Sequence, residues 1–123
     1  MISIDSYGWI ERFTAGPKSA RYNELIDSSR PEEVLTSVVA LYEVYKKVKR
    51  HKGEQVALEA VASVEQTNVV GLDQSISLEA ADYSLERGLH FADALIYATA
   101  RHFSAELYTS DEHLKGLPGV SFV

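Results

Sequence analysis

The chain predicts a three-layer α/β domain: a mostly parallel sheet of four to five strands with helices on both faces. Two observations carry this. Short β-branched or alternating runs recur at residues 2–5, 34–37, 68–72, 107–109 and 120–123. Long stretches of helical periodicity separate the first four, the order that parallel strands with crossover helices require. At 123 residues the chain is expected to be one domain over 1–123, large enough to build its core without staples.

Ile2 and Ile4 alternate with Ser3 in the first strand, which ends at Asp5. Residues 7–13 follow as a helix with Tyr7, Ile10, Trp9 and Phe13 turned inward, and Ala15-Gly16-Pro17 breaks it. Pro17 suits the first turn of a second helix, whose stripe is Tyr22, Leu25 and Ile26. Arg30-Pro31 is a turn, 34–37 is a strand, and Ser37 is placed to cap the next helix. In that helix, 38–51, Val38, Leu41, Tyr42, Tyr45 and Val48 make one continuous face. Cations crowd its last turns, where the helix dipole favours them, and Gly53 stops it. Helix 54–64 runs through Val56, Ala60, Val61 and Val64, and strand 68–72 follows. Helix 75–87 uses Ile76, Ala80, Tyr83 and Leu85 and ends at Gly88. Helix 91–103 is almost wholly apolar from Ala94 to Ala100, as a helix covered on most sides would be. Strand 107–109, the turn Gly116-Leu117-Pro118-Gly119 and an edge strand 120–123 complete the chain.

Composition narrows the function. There is no cysteine, so disulfides and thiolate metal sites are excluded. The start, Met-Ile-Ser-Ile-Asp, lacks a signal-peptide pattern, and no apolar run approaches the roughly 20 residues of a membrane span. A cytoplasmic location without membrane association is expected. A net charge of −6 argues against indiscriminate nucleic-acid binding, but not against acting on nucleic acid through metal ions, which supply positive charge. Five of the twelve Lys and Arg fall within 46–52. A solvated helix end is the ordinary reading of such a cluster, and a phosphate-contacting rim is its functional one.

The chemistry-bearing residues are acids. In open α/β sheets ligands bind outside the carboxyl ends of the strands. Asp5 ends the first strand there and Asp111 lies just beyond Thr109. Asp93 lies in the first turn of its helix, and Glu43 flanks the apolar face of helix 38–51. Each has a local explanation: Asp5 as a cap, Asp93 as an acid at a helix start, Glu43 paired with Lys47, Asp111 as a turn residue. Four such acids have no reason to share one edge of the sheet unless they act together. Gathered carboxylates repel unless a cation is present, and oxygen-only ligands suit Mg²⁺ or Mn²⁺. The four histidines are scattered, with no pair at metal-binding spacing on one helix, which disfavours zinc. There is no serine elbow and no Gly-rich phosphate loop.

Ile-Asp-Ser at the start, Leu-Tyr-Glu-Val in the third helix, Phe-Ala-Asp-Ala-Leu-Ile-Tyr-Ala-Thr-Ala, and Leu-Tyr-Thr-Ser-Asp-Glu-His-Leu together resemble a PIN domain. The size and the closing Gly-Leu-Pro-Gly-Val are similar to VapC-type toxins of toxin–antitoxin pairs. The resemblance spans essentially the whole chain. It implies a metal-dependent endoribonuclease using Mg²⁺ or Mn²⁺, with Asp5, Glu43, Asp93 and Asp111 as the catalytic, metal-holding acids and Ser6 and Thr109 as supports. It also implies an RNA substrate, a small antitoxin partner and a homodimer. One departure is Leu114, where the family often carries an aromatic, a change of packing. Two other readings remain open at this point. A PIN-like module that binds RNA or protein without turnover would have little reason to keep a costly acid cluster. A signalling receiver would need adjacent acids after the first strand and a Lys after the last inner one, but Ser6 follows Asp5 and no Lys follows Thr109.

Overall fold

The β-branched runs condense into five strands: β1 (Ile2–Ile4), β2 (Val34–Ser37), β3 (Asn68–Val70), β4 (Glu106–Thr109) and β5 (Val120–Phe122). The computed structural model describes residues 1–123 throughout. The strands lie in the order β3-β2-β1-β4-β5, and every neighbouring pair is parallel. From β1 the chain moves outward to β2 and β3, then crosses to the other side for β4 and β5. The sheet therefore reverses direction between β1 and β4, where a crevice opens beyond the strand ends.

Six helices complete the layers: α1 (Ser6–Thr14), α2 (Ser19–Asp27), α3 (Val38–Lys52), α4 (Glu54–Val64), α5 (Gln74–Arg87) and α6 (Phe91–His102). Short 3₁₀ turns at Pro31–Glu33 and Glu112–Leu114 lead into β2 and out of β4. Because side chains alternate along a strand, the sheet carries two cores. Ile4 and Val34 pack with Trp9, Tyr22, Val44, Val48 and the Ala57/Ala60/Val64 stripe of α4. Leu107 and Leu114 pack with α5 and with the apolar run of α6 on the other face. Every residue from Ala94 to Ala100 is buried, as the sequence predicts. Ser37 caps α3 by accepting from the Val39 N–H at 3.1 Å.

α1 comes unusually close to its neighbours. A Cβ on Gly8 would meet the Tyr22 ring at 2.5 Å and Ile4 at 2.8 Å, so only glycine fits there.

Several sequence expectations are corrected. α3 buries only part of the predicted face: Val48 is buried and Leu41 and Tyr45 pack half-buried on the core, but Val38 and Tyr42 are exposed and Ala40 and Val44 point inward instead. The helix has rolled so that its small Ala40 meets the close-packed α6 side, leaving the bulkier Tyr42 in solvent. Tyr7 is likewise exposed, because Gly8 and Trp9 take the inner positions of α1. Leu85 is 86% exposed, one step off the Ile76/Ala80 stripe. β3 stops at Val70, where its pairing with β2 ends at Ser37.

Leu107, fully buried in the centre of the sheet, should tolerate truncation poorly. Leu107→Ala is expected to lower the unfolding free energy by about 2–5 kcal/mol in a denaturant titration. Leu85→Ala should change it by no more than about 0.5 kcal/mol.

Candidate metal centre

Four acids from four different segments meet in the crevice between β1 and β4. Asp5, Glu43, Asp93 and Asp111 line one cavity of about 310 Å³. The strand register and the docking of α3 and α6 bring them there, since no two are closer than 18 residues in sequence.

Asp5 is the innermost, 3% exposed. Its backbone N–H donates to the Tyr108 carbonyl at 3.1 Å, continuing the β1–β4 ladder by one step. Its side chain also caps α1: Oδ1 accepts from the Ser6 N–H at 2.7 Å. Oδ2 accepts from the Thr109 hydroxyl at 2.6 Å. Burial pushes the Asp5 carboxyl up to about 6, the Thr109 and Ser6 bonds pull against this, and Glu43 and Asp111 add to it.

Thr109 and Ser6 tie the acids together. The Thr109 Oγ1 that donates to Asp5 also accepts from the Asp111 N–H at 3.0 Å. Ser6 Oγ lies 2.8 Å from Glu43 Oε1 and 3.3 Å from Asp5 Oδ1, and its single proton serves the nearer Glu43. Asp111 starts the 3₁₀ turn through the His113 N–H at 2.9 Å.

Asp93 is different. It lies half-buried in the first turn of α6 and makes no capping bond there. Burial pushes its carboxyl up to about 7, with Asp111 the next largest cause, followed by Asp5.

No Lys or Arg neutralises this set. None of the four acids has a Lys or Arg nitrogen within 4.0 Å, and the Glu43–Lys47 pair that the spacing allows is not made. Asp5 and Asp111 do act as local caps, so the local and collective readings hold together: each caps through Oδ1 and still lines the pocket. Crowded carboxylates with no Lys or Arg paired to them, two of them with carboxyls raised well above the usual range, fit a hard divalent ion such as Mg²⁺ or Mn²⁺.

Three features of the site escape sequence reading. Tyr7, expected in the core, lines the pocket instead. His113 Nδ1 lies 3.0 Å from Asp111 Oδ1, and ligand atoms of Asp93, Asp111 and His113 lie within 4.8 Å of one another. Only the Asp-x-His spacing signals it. Tyr22 Oη shares a buried 2.7 Å bond with Ser110 Oγ, bracing the loop between Thr109 and Asp111, and burial pushes that phenol up to about 12. The basic cluster also acquires a place: Lys46, Lys47 and Arg50 line the same cavity as the acids.

The raised carboxyls make the metal-free protein sensitive to pH. A carboxyl raised in the folded state holds its proton more tightly there than in the unfolded chain, so its contribution is full below about pH 4. That contribution is lost as pH rises through 6 for Asp5 and 7 for Asp93. For Asp5 the loss is of order 3 kcal/mol. Melting in EDTA should therefore weaken between pH 4 and 7, and Asp5→Asn should flatten the profile and melt higher than wild type at pH 8. Added Mn²⁺ should restore more stability at pH 8 than at pH 5.

A family model described as PIN domain matches residues 2–120. Solved structures of similar fold include a toxin–antitoxin complex from Klebsiella pneumoniae, 23% identical with a TM-score of 0.80, covering 98% of this chain and 96% of that one. The Mycobacterium tuberculosis toxin VapC20, described as cleaving the sarcin–ricin loop, is 23% identical with a TM-score of 0.74 over 86% of this chain and 85% of its own. FitAcB from Neisseria gonorrhoeae is 22% identical with a TM-score of 0.72, covering 99% and 96%. No curated protein matches by sequence. No helix is long and apolar enough to cross a membrane.

Proposed function

Because the chain belongs to the PIN domain family, we propose that it is a metal-dependent endoribonuclease, the toxin of a toxin–antitoxin pair, cutting RNA at the pocket of Asp5, Glu43, Asp93 and Asp111. The observation that carries this reading is the set of four carboxylates in one cavity with no Lys or Arg paired to any of them. Asp5, Asp93 and Asp111 would hold Mg²⁺ or Mn²⁺, with Glu43 completing the set. Such an ion supplies positive charge against the scissile phosphate and lowers the pKa of an attacking water.

The remaining roles belong to the chain itself. Thr109 orients Asp5 and, through the Asp111 N–H, sets the loop that carries Asp111. Ser6 fixes one Glu43 oxygen, which leaves Oε2 free to orient water or accept its proton. The apolar run Ala94–Ala100 anchors α6, so Asp93 enters the pocket from a rigid element rather than from a mobile loop.

A neighbour of this fold is a toxin–antitoxin complex, which supports a small antitoxin as the partner. An arginine from it, placed among unpaired carboxylates, would be well accommodated. A homodimer in the cytoplasm is part of the same reading.

The proposal is tested with purified protein, a mixed RNA substrate and Mn²⁺. Asp5→Asn and Asp93→Asn should lose at least about 100-fold in cleavage and weaken Mn²⁺ binding in calorimetry. Thr109→Val, which keeps all four acids, should lose about 10–100-fold. EDTA should abolish cleavage and Mn²⁺ should restore it. Folded Asp variants that cut RNA like wild type would refute the assignment.

A further inference from the structure

Lys46, Lys47 and Arg50 stand beside four carboxylates and yet pair with no acid. The neighbouring Lys49 shows the alternative, reaching Glu54 at 3.6 Å. Unpaired cations next to an acidic pocket, in a chain of net charge −6, are a local feature rather than a consequence of composition. They also have a direction. A second concavity of about 390 Å³ shares Ile10 and Lys47 with the acidic pocket and adds Lys52 further along α3. The seam between α1 and α3 is therefore one groove, acidic at the β1–β4 crevice and basic away from it. Glu43, Lys47 and Arg50 succeed one another at about 6 and then about 4.5 Å along the helix axis, on one side of the helix.

Two aromatic rings flank the start of the groove. Tyr42 is 63% exposed and Tyr7 41%. Lys46 Nζ stands 5.6 Å from the Tyr42 ring centroid and Lys18 Nζ 5.7 Å from that of Tyr7. Exposed rings beside cations match a strand with both bases and phosphates. An acidic peptide would use only the cations. Asp5 lies at the bottom of a concavity, so the reacting phosphate must descend into it, which an unpaired strand can do and a rigid duplex cannot.

We propose that the α1–α3 groove binds single-stranded RNA leaving the acidic pocket, with Lys46, Lys47 and Arg50 contacting its phosphates and Tyr42 stacked on a base. This deepens the ribonuclease reading and rests on it for the identity of the strand.

The test measures binding of a labelled twelve-nucleotide unstructured RNA in EDTA as a function of salt, beside steady-state cleavage with Mn²⁺. Lys46→Ala, Lys47→Ala and Arg50→Ala should each lower the slope of log affinity against log salt by about 0.7–1 and raise KM with kcat unchanged. Arg87→Ala, a control on α5, should do neither. Tyr42→Ala should weaken binding about tenfold while Tyr42→Phe keeps it. The same sequence as a duplex should bind at least tenfold more weakly. Unchanged slopes in the three variants, equal binding of the duplex, or competition by polyglutamate as strong as by RNA would overturn the groove assignment. Wild type that binds the strand with the expected slope but cuts no RNA would sink the ribonuclease reading and leave the groove standing. Normal cleavage with unaltered slopes would do the reverse.

Discussion

The 2.6 Å bond from the Thr109 hydroxyl to Asp5 joins the ends of β1 and β4 at the one place where the sheet reverses its direction of growth. Asp5 is almost fully buried there, and a buried carboxylate is tolerated only where donors meet it. The donors come from two elements: the Ser6 N–H from the start of α1 and the Thr109 hydroxyl from β4. Thr109 in turn accepts from the Asp111 backbone, so the position of the outer acid depends on the orientation of the inner one. Ser6 extends the same chain to Glu43. Three of the four acids are thus linked through two hydroxyls, and Asp93 stands outside that chain, carried by the first turn of α6.

This arrangement works against the stability of the empty pocket. Asp5 and Asp93 both have carboxyls raised towards neutrality, chiefly by burial, with neighbouring acids adding to it. A protein selected only for folding would place an Arg among them or replace one by a neutral residue. The strain is carried instead by the packing around it: α6 is buried along seven consecutive residues, and Tyr22 and Ser110 brace the loop before Asp111 from inside the core. Local frustration at a site held by a well-packed frame is a common mark of function.

α3 joins the two electrostatic regimes. Its first half contributes Glu43 to the acidic end, and its second half contributes Lys46, Lys47 and Arg50, which pair with no acid. The roll of the helix that buries Ala40 and Val44 is what turns Tyr42, Lys46 and Arg50 towards the groove. The helix dipole favours cations at this end in any case, so the same residues serve local stability and the groove at once.

Much of the architecture follows from local pattern. Alternation, β-branching and the breaks at Ala15-Gly16-Pro17, Gly53 and Gly88 place the strands and helices within a residue or two, because these depend on backbone preference and short-range periodicity. The same local grammar puts Asp5 and Asp111 just past strand ends. It fails where several apolar residues compete for one face. Tyr7, Tyr42, Val38 and Leu85 are hydrophobic at plausible positions and are nonetheless exposed, since which side of a helix is buried depends on the partner it docks against. Nor can local pattern say that Thr109 bonds Asp5, that Ser6 reaches Glu43, or that Lys46 and Arg50 border the acids. Those contacts join segments distant in sequence, and only strand order, register and the roll of α3 bring them within hydrogen-bonding or groove-lining distance.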